Sequence, residues 1–163
     1  MVPDRCRHMP PMRCSGGLAG LPWLAARETA RRMNRPKDVA AAIIKRDDRV
    51  FVTRRAPGQA MAGLWEFPGG KVEPGETVQA CIVRELAEEL DIACEAGGEF
   101  MRNLHVYPGG SINLIAVNVR MISESWELRV HDEARWVPVS ELETLNLAPA
   151  DVPIARALAG RTG

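Results

Sequence analysis

The sequence has no long hydrophobic run and no excess of charge of either sign. Although 46% of its 163 residues are hydrophobic, no apolar stretch reaches the ~18 residues that a membrane helix needs. The 21 Lys and Arg residues are matched by 21 Asp and Glu residues, so no global basic field exists to hold a nucleic-acid polymer. These absences exclude a membrane span and a polynucleotide-binding surface, whereas a small anionic substrate needs only a local arrangement of charge.

Cysteine is scarce, and its spacing shows no metal-binding pattern. No CxxC pair occurs, and one cysteine, Cys81, lies inside a predicted helix. Free thiols are typical of proteins in the reducing cytoplasm. The sequence therefore predicts a cytoplasmic protein in which all four cysteines are reduced thiols, namely Cys6, Cys14, Cys81 and Cys94.

The first 36 residues differ in composition from the rest. Seven arginines stand among Pro, Gly and Met with only two acids, and no hydrophobic period is sustained. We expect residues 1–36 to be a disordered extension or a mis-assigned start upstream of Met33, and residues 37–163 to form one domain. A targeting sequence is the weaker alternative, because the apolar stretch 18–26 is interrupted by glycine and proline and has no clear cleavage site.

Beyond residue 36, hydrophobic patterning predicts several strands and few helices. The predicted strands are 39–44, 50–53, 100–107, 111–122 and 134–137, with a hairpin joining the first two. The main predicted helix spans 77–90 with Thr77 as its cap, and shorter ones begin at caps Ser140 and Asp151. Mixed strands with few intervening helices favour an α/β fold.

Three glutamates crowd one face of the main helix. At the helical repeat, Glu85, Glu88 and Glu89 fall within a sector of about 100°. Such crowding is unfavourable without a cation, and carboxylate oxygens suit Mg²⁺ or Mn²⁺, which commonly bridge phosphate oxygens. A solvated Glu-rich helix is the plain alternative. Against it, an apolar stripe packs the opposite side of this helix, formed by Val78, Ile82, Leu86 and Leu90.

The same stretch resembles the Nudix box. Gly70 is followed after five residues by Glu76, and after seven more by Arg84, Glu85 and Leu86; then come Glu88, Glu89 and the apolar Ile92. The family normally has glycine before that apolar residue, where this chain has Asp91. Aspartate can also adopt the left-handed conformation that ends a helix, at some cost relative to glycine.

The resemblance extends over about residues 37–160. The stretches 53–55, 64–71 (LWEFPGGK) and 148–154 (APADVPI) resemble the MutT and NudG branch of the Nudix superfamily. That branch implies an α/β/α sandwich with a mixed sheet, and cleavage of nucleoside triphosphates to a monophosphate and pyrophosphate. The NudG group is associated with CTP and modified dCTP, and MutT with 8-oxo-dGTP. Removal of damaged or modified nucleotides from the pool is the implied purpose.

The resemblance also implies roles for individual residues. The carbonyl of Gly69 and the carboxylates of Glu85, Glu88 and Glu89 match the family's ligands for divalent cations, Mg²⁺ with Mn²⁺ as a substitute. Arg84 would support that cluster, or form only an ordinary surface ion pair. Among the substrate-binding candidates, Arg55 matches a position that contacts the triphosphate, with a solvated strand-end arginine as the alternative; Phe67 belongs to the same set.

The general base is not evident from the sequence. MutT-like members often have a glutamate six residues before the tryptophan that matches Trp136, and here that position is Val130. The substitute candidates are other carboxylates within reach of a substrate water, which are Glu127, Asp132, Glu133 and Glu85. Glu133 is therefore included among the catalytic candidates.

Asp151 stands where MutT has a base-reading asparagine. An ionised aspartate only accepts hydrogen bonds, and the exocyclic amine of cytosine donates them, so this residue favours a cytosine nucleotide. 8-Oxoguanine stays open because it also presents N–H donors and because a buried aspartate can protonate and donate. A cap for the last helix is the structural alternative.

Two other function classes are open at this point. One is a Nudix hydrolase of ADP-ribose or a dinucleoside polyphosphate, against which the stretches 64–71 (LWEFPGGK) and 147–151 (LAPAD) argue. The second is a non-catalytic Nudix module that senses a nucleotide; such modules often lose the carboxylates, and here all are present. We expect a small nucleotide as the partner, no nucleic-acid polymer or membrane, and a monomer or homodimer.

Overall fold

The computed structural model describes residues 35–160. The predicted extension over residues 1–36 lies almost entirely outside this range, so both the extension and its boundary stay predictions. None of the helices in the described part combines the length and apolar character that a membrane-spanning helix requires.

The described part of the chain contains seven strands and three helical segments. In order these are β1 (Lys37–Arg46), β2 (Arg49–Arg55), β3 (Trp65–Glu66), β4 (Gly69–Lys71), α1 (Val78–Leu90), β5 (Cys94–Tyr107), β6 (Gly110–Met121), β7 (His131–Pro138), a 3-10 helix (Val139–Thr144) and α2 (Val152–Ala159). The five predicted strands and the main helix are confirmed. Strand β5 begins at Cys94, and not at Phe100 as predicted. The sequence does not show this earlier start because the register is irregular near Gly97 and Gly98, which hides the strand pattern.

The strands form one mixed seven-stranded sheet. Its main order is β3-β2-β1-β6-β5, with β4 also paired to β1 and β7 to β2. Strand β1 pairs with β6 in parallel and with β2 and β4 antiparallel. The predicted hairpin is confirmed, since Lys45 faces Val50 across its turn. This arrangement brings β4, β2 and β7 to the side of the sheet where the candidate residues lie.

The sheet is buried on both faces. Ala41 and Ile43 of β1 belong to one core, which α2 and the 3-10 helix cover with Leu142, Ile154, Ala155 and Leu158. Ala40, Ala42 and Ile44 belong to the opposite core, which α1 covers with Cys81, Ile82, Leu86 and Leu90. Because successive side chains of a strand point to opposite faces, the unbroken apolar run of β1 feeds both cores. The α/β/α sandwich is thereby confirmed.

Both ends of α1 follow the sequence prediction. The Thr77 hydroxyl accepts a hydrogen bond from the backbone N–H of Ala80 at 3.1 Å, which satisfies one of the free donors at the helix start. Asp91 has φ 55° and ψ 33° and occupies the left-handed conformation at the helix end. The box glycine is thus replaced by a residue that keeps the same backbone geometry.

The two other predicted caps were wrong as side-chain caps. The 3-10 helix begins at Val139, one residue before the predicted cap Ser140, and it has no side-chain cap. Val139 is buried, and its N–H donates to the Asp48 carbonyl at 2.8 Å, so tertiary contacts define this start. Asp151 precedes α2, but its side chain makes no capping bond. Its Oδ1 atom instead accepts from the backbone N–H of Phe67 at 3.0 Å.

Candidate active site

A cavity of about 880 Å³ lies beside β4, β2 and the middle of α1. Its size is in the range of small-molecule sites. Six residues predicted from the sequence line it together: Arg55, Phe67, Gly69, Glu85, Glu89 and Asp151. Three other candidates, Arg84, Glu88 and Glu133, are not among its lining residues.

Two glycines allow β4 to lie close to β1 and to α1. A Cβ atom on Gly69 would overlap the carbonyl oxygen of Ala40 in the neighbouring strand. A Cβ atom on Gly70 would overlap the carboxylate of Glu85. The carboxylate therefore lies directly against the backbone of the strand, and only glycine leaves room for it.

Arg84 holds several carboxylates at once. Its Nε and Nη2 atoms donate to Glu76 at 2.9 and 3.0 Å, and its Nη1 donates to Glu85 at 2.9 Å and to Glu88 at 3.3 Å. The arginine lowers the pKa of Glu76 to about 2. Glu76 also accepts from the Glu73 backbone N–H at 3.0 Å and closes the loop before α1. This fork is more than a single surface ion pair, because it fixes the rotamer of Glu85.

Glu89 is half-buried and lines the cavity. Burial raises the pKa of Glu89, His131 opposes that change, and the negative charges of Glu85 and Glu66 add to it. A nearby positive charge stabilises the ionised form of such a carboxylate. The position is thus suited to binding a cation.

The donor set fits a hard divalent cation in part. Glu85 and Glu89 bring carboxylate oxygens into the cavity beside the backbone of Gly69, and such oxygens suit Mg²⁺. Glu88 is turned toward Arg84, and its side chain is 62% exposed against 13% for Glu85. Across residues 35–160, no three acidic, histidine or cysteine side chains converge as a metal-binding group. Glu85, Glu89 and Gly69 would hold a cation, and Glu88 would join only by leaving Arg84.

Arg55 is tied into a network that the sequence did not reveal. Its Nε donates to Glu66 at 2.7 Å and its Nη1 to the Ala60 carbonyl at 2.9 Å. The other Glu66 oxygen lies 3.2 Å from Nε2 of His131. Glu66 and His131 both line the cavity. The only sequence signal was position, since Glu66 stands in the LWEFPGGK stretch and His131 follows Val130.

The candidate bases near Val130 lie outside the cavity lining. Asp132 accepts from Arg54 at 2.9 and 3.2 Å, and Glu133 lies 3.1 Å from the same arginine. The Glu127 side chain is 69% exposed and faces Arg129. The carbonyl of Val130 accepts from the Gln59 side chain at 3.0 Å, which ties the loop before β3 to this segment. The assignment of Glu133 as a base stays a prediction.

Asp151 is a buried acid at the inner wall of the cavity. Its side chain is paired with the backbone N–H of Phe67, and burial raises its pKa to about 7. The Phe67 hydrogen bond lowers that pKa and the charge of Glu66 raises it. With its pKa raised in this way, Asp151 can offer a bound base an acceptor when it is ionised and a donor when it is protonated.

The family is decided by a model of the NUDIX domain that matches residues 39–157. This chain belongs to the Nudix family. It is 38% identical over 120 residues to the CTP pyrophosphohydrolase of Escherichia coli K12, covering 74% of this chain and 89% of that protein. It is 34% identical over 118 residues to the 8-oxo-dGTP diphosphatase of the same strain, covering 71% and 91%.

Solved structures agree with this assignment. The solution structure of the Escherichia coli ORF135 protein has a TM-score of 0.70 and 33% sequence identity, covering 80% of this chain and 93% of that chain. The protein is thus an enzyme, a Nudix hydrolase of MutT-like type. Nudix hydrolases use a divalent cation, and the acidic wall of the cavity is the part of this chain that offers oxygen ligands for one.

Proposed function

We propose that this Nudix hydrolase sanitises the nucleotide pool by cleaving nucleoside triphosphates to a monophosphate and pyrophosphate, with CTP, dCTP, 5-methyl-dCTP or 8-oxo-dGTP as substrate. The observation that carries the proposal is one cavity that is lined both by Glu85 and Glu89 of α1 and by the buried acid Asp151. The carboxylates of α1 suit a metal-bound triphosphate, and Asp151 suits a nucleobase. The names of the two Escherichia coli relatives support the same substrate class.

We propose Mg²⁺ as the cofactor, with Mn²⁺ as a substitute. The bound cation would neutralise phosphate oxygens and activate a water. The chain's own part is positional: Arg84 holds Glu85 against Gly70, and Glu89 lies beside it in the cavity. Lys71, which also lines the cavity, adds positive charge near the phosphates. Catalysis by positioned charge of this kind is typical of phosphoryl transfer.

Arg55 contributes to substrate binding through the loop that it holds. Because its guanidinium is bonded to Glu66 and to the Ala60 carbonyl, it fixes the loop on the cavity rim and presents only its remaining N–H groups to a phosphate. Phe67 contributes its buried ring to the wall next to Asp151.

The geometry favours a box carboxylate as the proton acceptor. Glu85 and Glu89 line the cavity, whereas Asp132 and Glu133 are paired with Arg54 on its outside. A general base must be within hydrogen-bond reach of the attacking water, directly or through one more water. We therefore expect Asp132→Asn and Glu133→Gln to keep most of the activity.

Base selectivity is tested by release of pyrophosphate from CTP, dCTP, 5-methyl-dCTP, dGTP and 8-oxo-dGTP, with and without Asp151→Asn. We predict that the wild type prefers cytosine nucleotides over dGTP. The variant should lose about 1 to 3 kcal/mol in kcat/KM for the cytosine substrates alone, because the Phe67 N–H occupies one side-chain oxygen and the amide puts an NH2 donor in place of the other acceptor oxygen. Equal losses for every nucleotide, at unchanged stability, would reject base reading by Asp151.

The other function classes are separated by assaying ADP-ribose and diadenosine polyphosphates beside these triphosphates. Their cleavage releases mononucleotides and no pyrophosphate, so the nucleotide products are measured by chromatography. ADP-ribose and diadenosine polyphosphates as preferred substrates would indicate a different Nudix hydrolase. Binding of nucleotides without turnover would indicate a sensor. The proposed setting is the cytoplasm, with a small nucleotide as the partner, no nucleic-acid polymer, and a monomer or homodimer; the free thiols of Cys81 and Cys94 are compatible with a reducing compartment.

A further inference from the structure

The C-terminal end of α1 is completed by a distant segment of the chain. A helix leaves its last four carbonyls without partners inside the helix. In α1 the Ala87 carbonyl still accepts from the N–H of the end residue Asp91 at 3.2 Å, and the carbonyls of Glu88, Glu89 and Leu90 need partners from elsewhere. The carbonyl of Leu90 accepts from the N–H of Glu127 at 2.8 Å, and that of Glu89 accepts from the N–H of Arg129 at 3.1 Å. The irregular segment 122–130 thus docks on the helix end through its backbone.

The side chain of Arg129 satisfies the remaining Glu88 carbonyl and adds a second donor to that of Ala87. Its Nη1 donates to the carbonyl of Glu88 at 3.2 Å and to that of Ala87 at 3.4 Å. Its Nη2 donates to the carboxylate of Asp91 at 2.8 Å. One guanidinium therefore bridges the last turn of α1 and the left-handed residue that ends it.

This contact also supplies a charge that α1 lacks. The last turn has no basic residue, yet it carries Glu88 and Glu89 at the negative end of the helix dipole, where anions are unfavourable. Arg129 places a positive charge at that end from elsewhere in the chain. The ion pair with Asp91 further offsets the cost of a non-glycine residue in the left-handed conformation.

We propose that Arg129 is a positioning residue for the metal-binding carboxylates. It acts through the backbone of the last turn, which it holds in the register that directs Glu89 into the cavity. The role rests on the proposed function, because it assumes that Glu89 binds the catalytic cation. Arg129 itself does not line the cavity, so it would act through the helix and not directly on a substrate.

The test compares Arg129→Ala and Arg129→Gln with a matched control, Arg120→Ala. Arg120 is also an exposed arginine in an ion pair, with Glu95 at 2.6 Å, on the β5 and β6 strands away from the cavity. Affinity for Mn²⁺ is measured on the nucleotide-free protein by electron paramagnetic resonance. The Mg²⁺ concentration for half-maximal turnover and the KM for CTP at saturating Mg²⁺ are measured in parallel.

We expect Arg129→Ala to weaken Mn²⁺ binding and to raise the Mg²⁺ requirement by about tenfold, as loss of a ligand's supporting partner typically does. The KM for CTP at saturating Mg²⁺ should change by no more than about twofold. Arg129→Gln keeps two N–H donors without the charge and should show a smaller loss; it also serves if Arg129→Ala does not fold. Mn²⁺ affinity equal to that of Arg120→Ala in both variants would overturn the proposal.

The two proposals fail in different ways. If the wild type cleaves no triphosphate but Arg129→Ala still loses Mn²⁺ affinity, the proposed function fails and the positioning role stands. If the wild type is active and both Arg129 variants bind Mn²⁺ normally, only the positioning role fails.

Discussion

At the scale of single residues, Asp151 links the stability of the fold to pH. Its pKa is raised by burial from an ordinary 3.8 to about 7. A group whose pKa is higher in the folded state contributes stability below its unfolded pKa and loses it as pH rises through the folded pKa. The free energy of unfolding should therefore fall between about pH 4 and pH 7 through this group.

We predict that the free energy of unfolding of Asp151→Asn falls less steeply between about pH 4 and pH 7, because the amide does not titrate and can still accept from the Phe67 N–H. Denaturant unfolding at several pH values measures this free energy. Asp132→Asn is the control, since Arg54 lowers the pKa of Asp132 and its contribution is lost in the opposite direction, as pH falls. The same slope for wild type and Asp151→Asn would contradict the assignment of a raised pKa to this residue.

Residues inside one continuous motif were predictable, and residues joined by long-range contacts were not. Glu85 and Glu89 share a helix face, so their common position in the cavity follows from the helical repeat. Glu66 and His131 are 65 positions apart and meet only because β2 pairs with both β3 and β7. The link of Arg129 to α1 was missed for the same reason.

At the scale of elements, α1 depends on the Thr77 cap. We predict that Thr77→Ala lowers the free energy of unfolding by about 1 kcal/mol, because the N–H of Ala80 loses its partner. Thr77→Ser keeps the hydroxyl and should cost much less. Thermal and denaturant unfolding of both variants test this, and equal losses would show that the hydroxyl does not contribute.

Short elements could not be predicted from patterning. Strands β3 and β4 have two and three residues, too few to show an alternation. They exist because β2 and β1 offer them partners, so tertiary pairing defines them. The predicted cap at Ser140 failed for a related reason, since the burial of Val139 decides where that helix begins.

At the scale of the whole molecule, the α/β/α sandwich was implied by the resemblance to the Nudix superfamily, and the packing of α1 on a core was implied by its apolar stripe. The position of the cavity was not, because it depends on which strands become neighbours. The domain boundary near residue 36 is still a prediction. We expect a protein beginning at Met33 to keep its activity and to melt within about 4 °C of the full chain. A larger drop in Tm would show that the preceding residues stabilise the domain.

The central claim is that the carboxylates of α1 bind the cation that drives triphosphate cleavage. The most direct measurement is pyrophosphate release from CTP and 8-oxo-dGTP with Mg²⁺ by the wild type and by Glu89→Gln, with Glu95→Gln as an exposed control. Glu89→Gln should lose roughly a thousandfold in kcat at unchanged Tm, because one amide removes a charge at constant shape. Excess EDTA should silence the wild type. Near-normal kcat in Glu89→Gln would contradict the account.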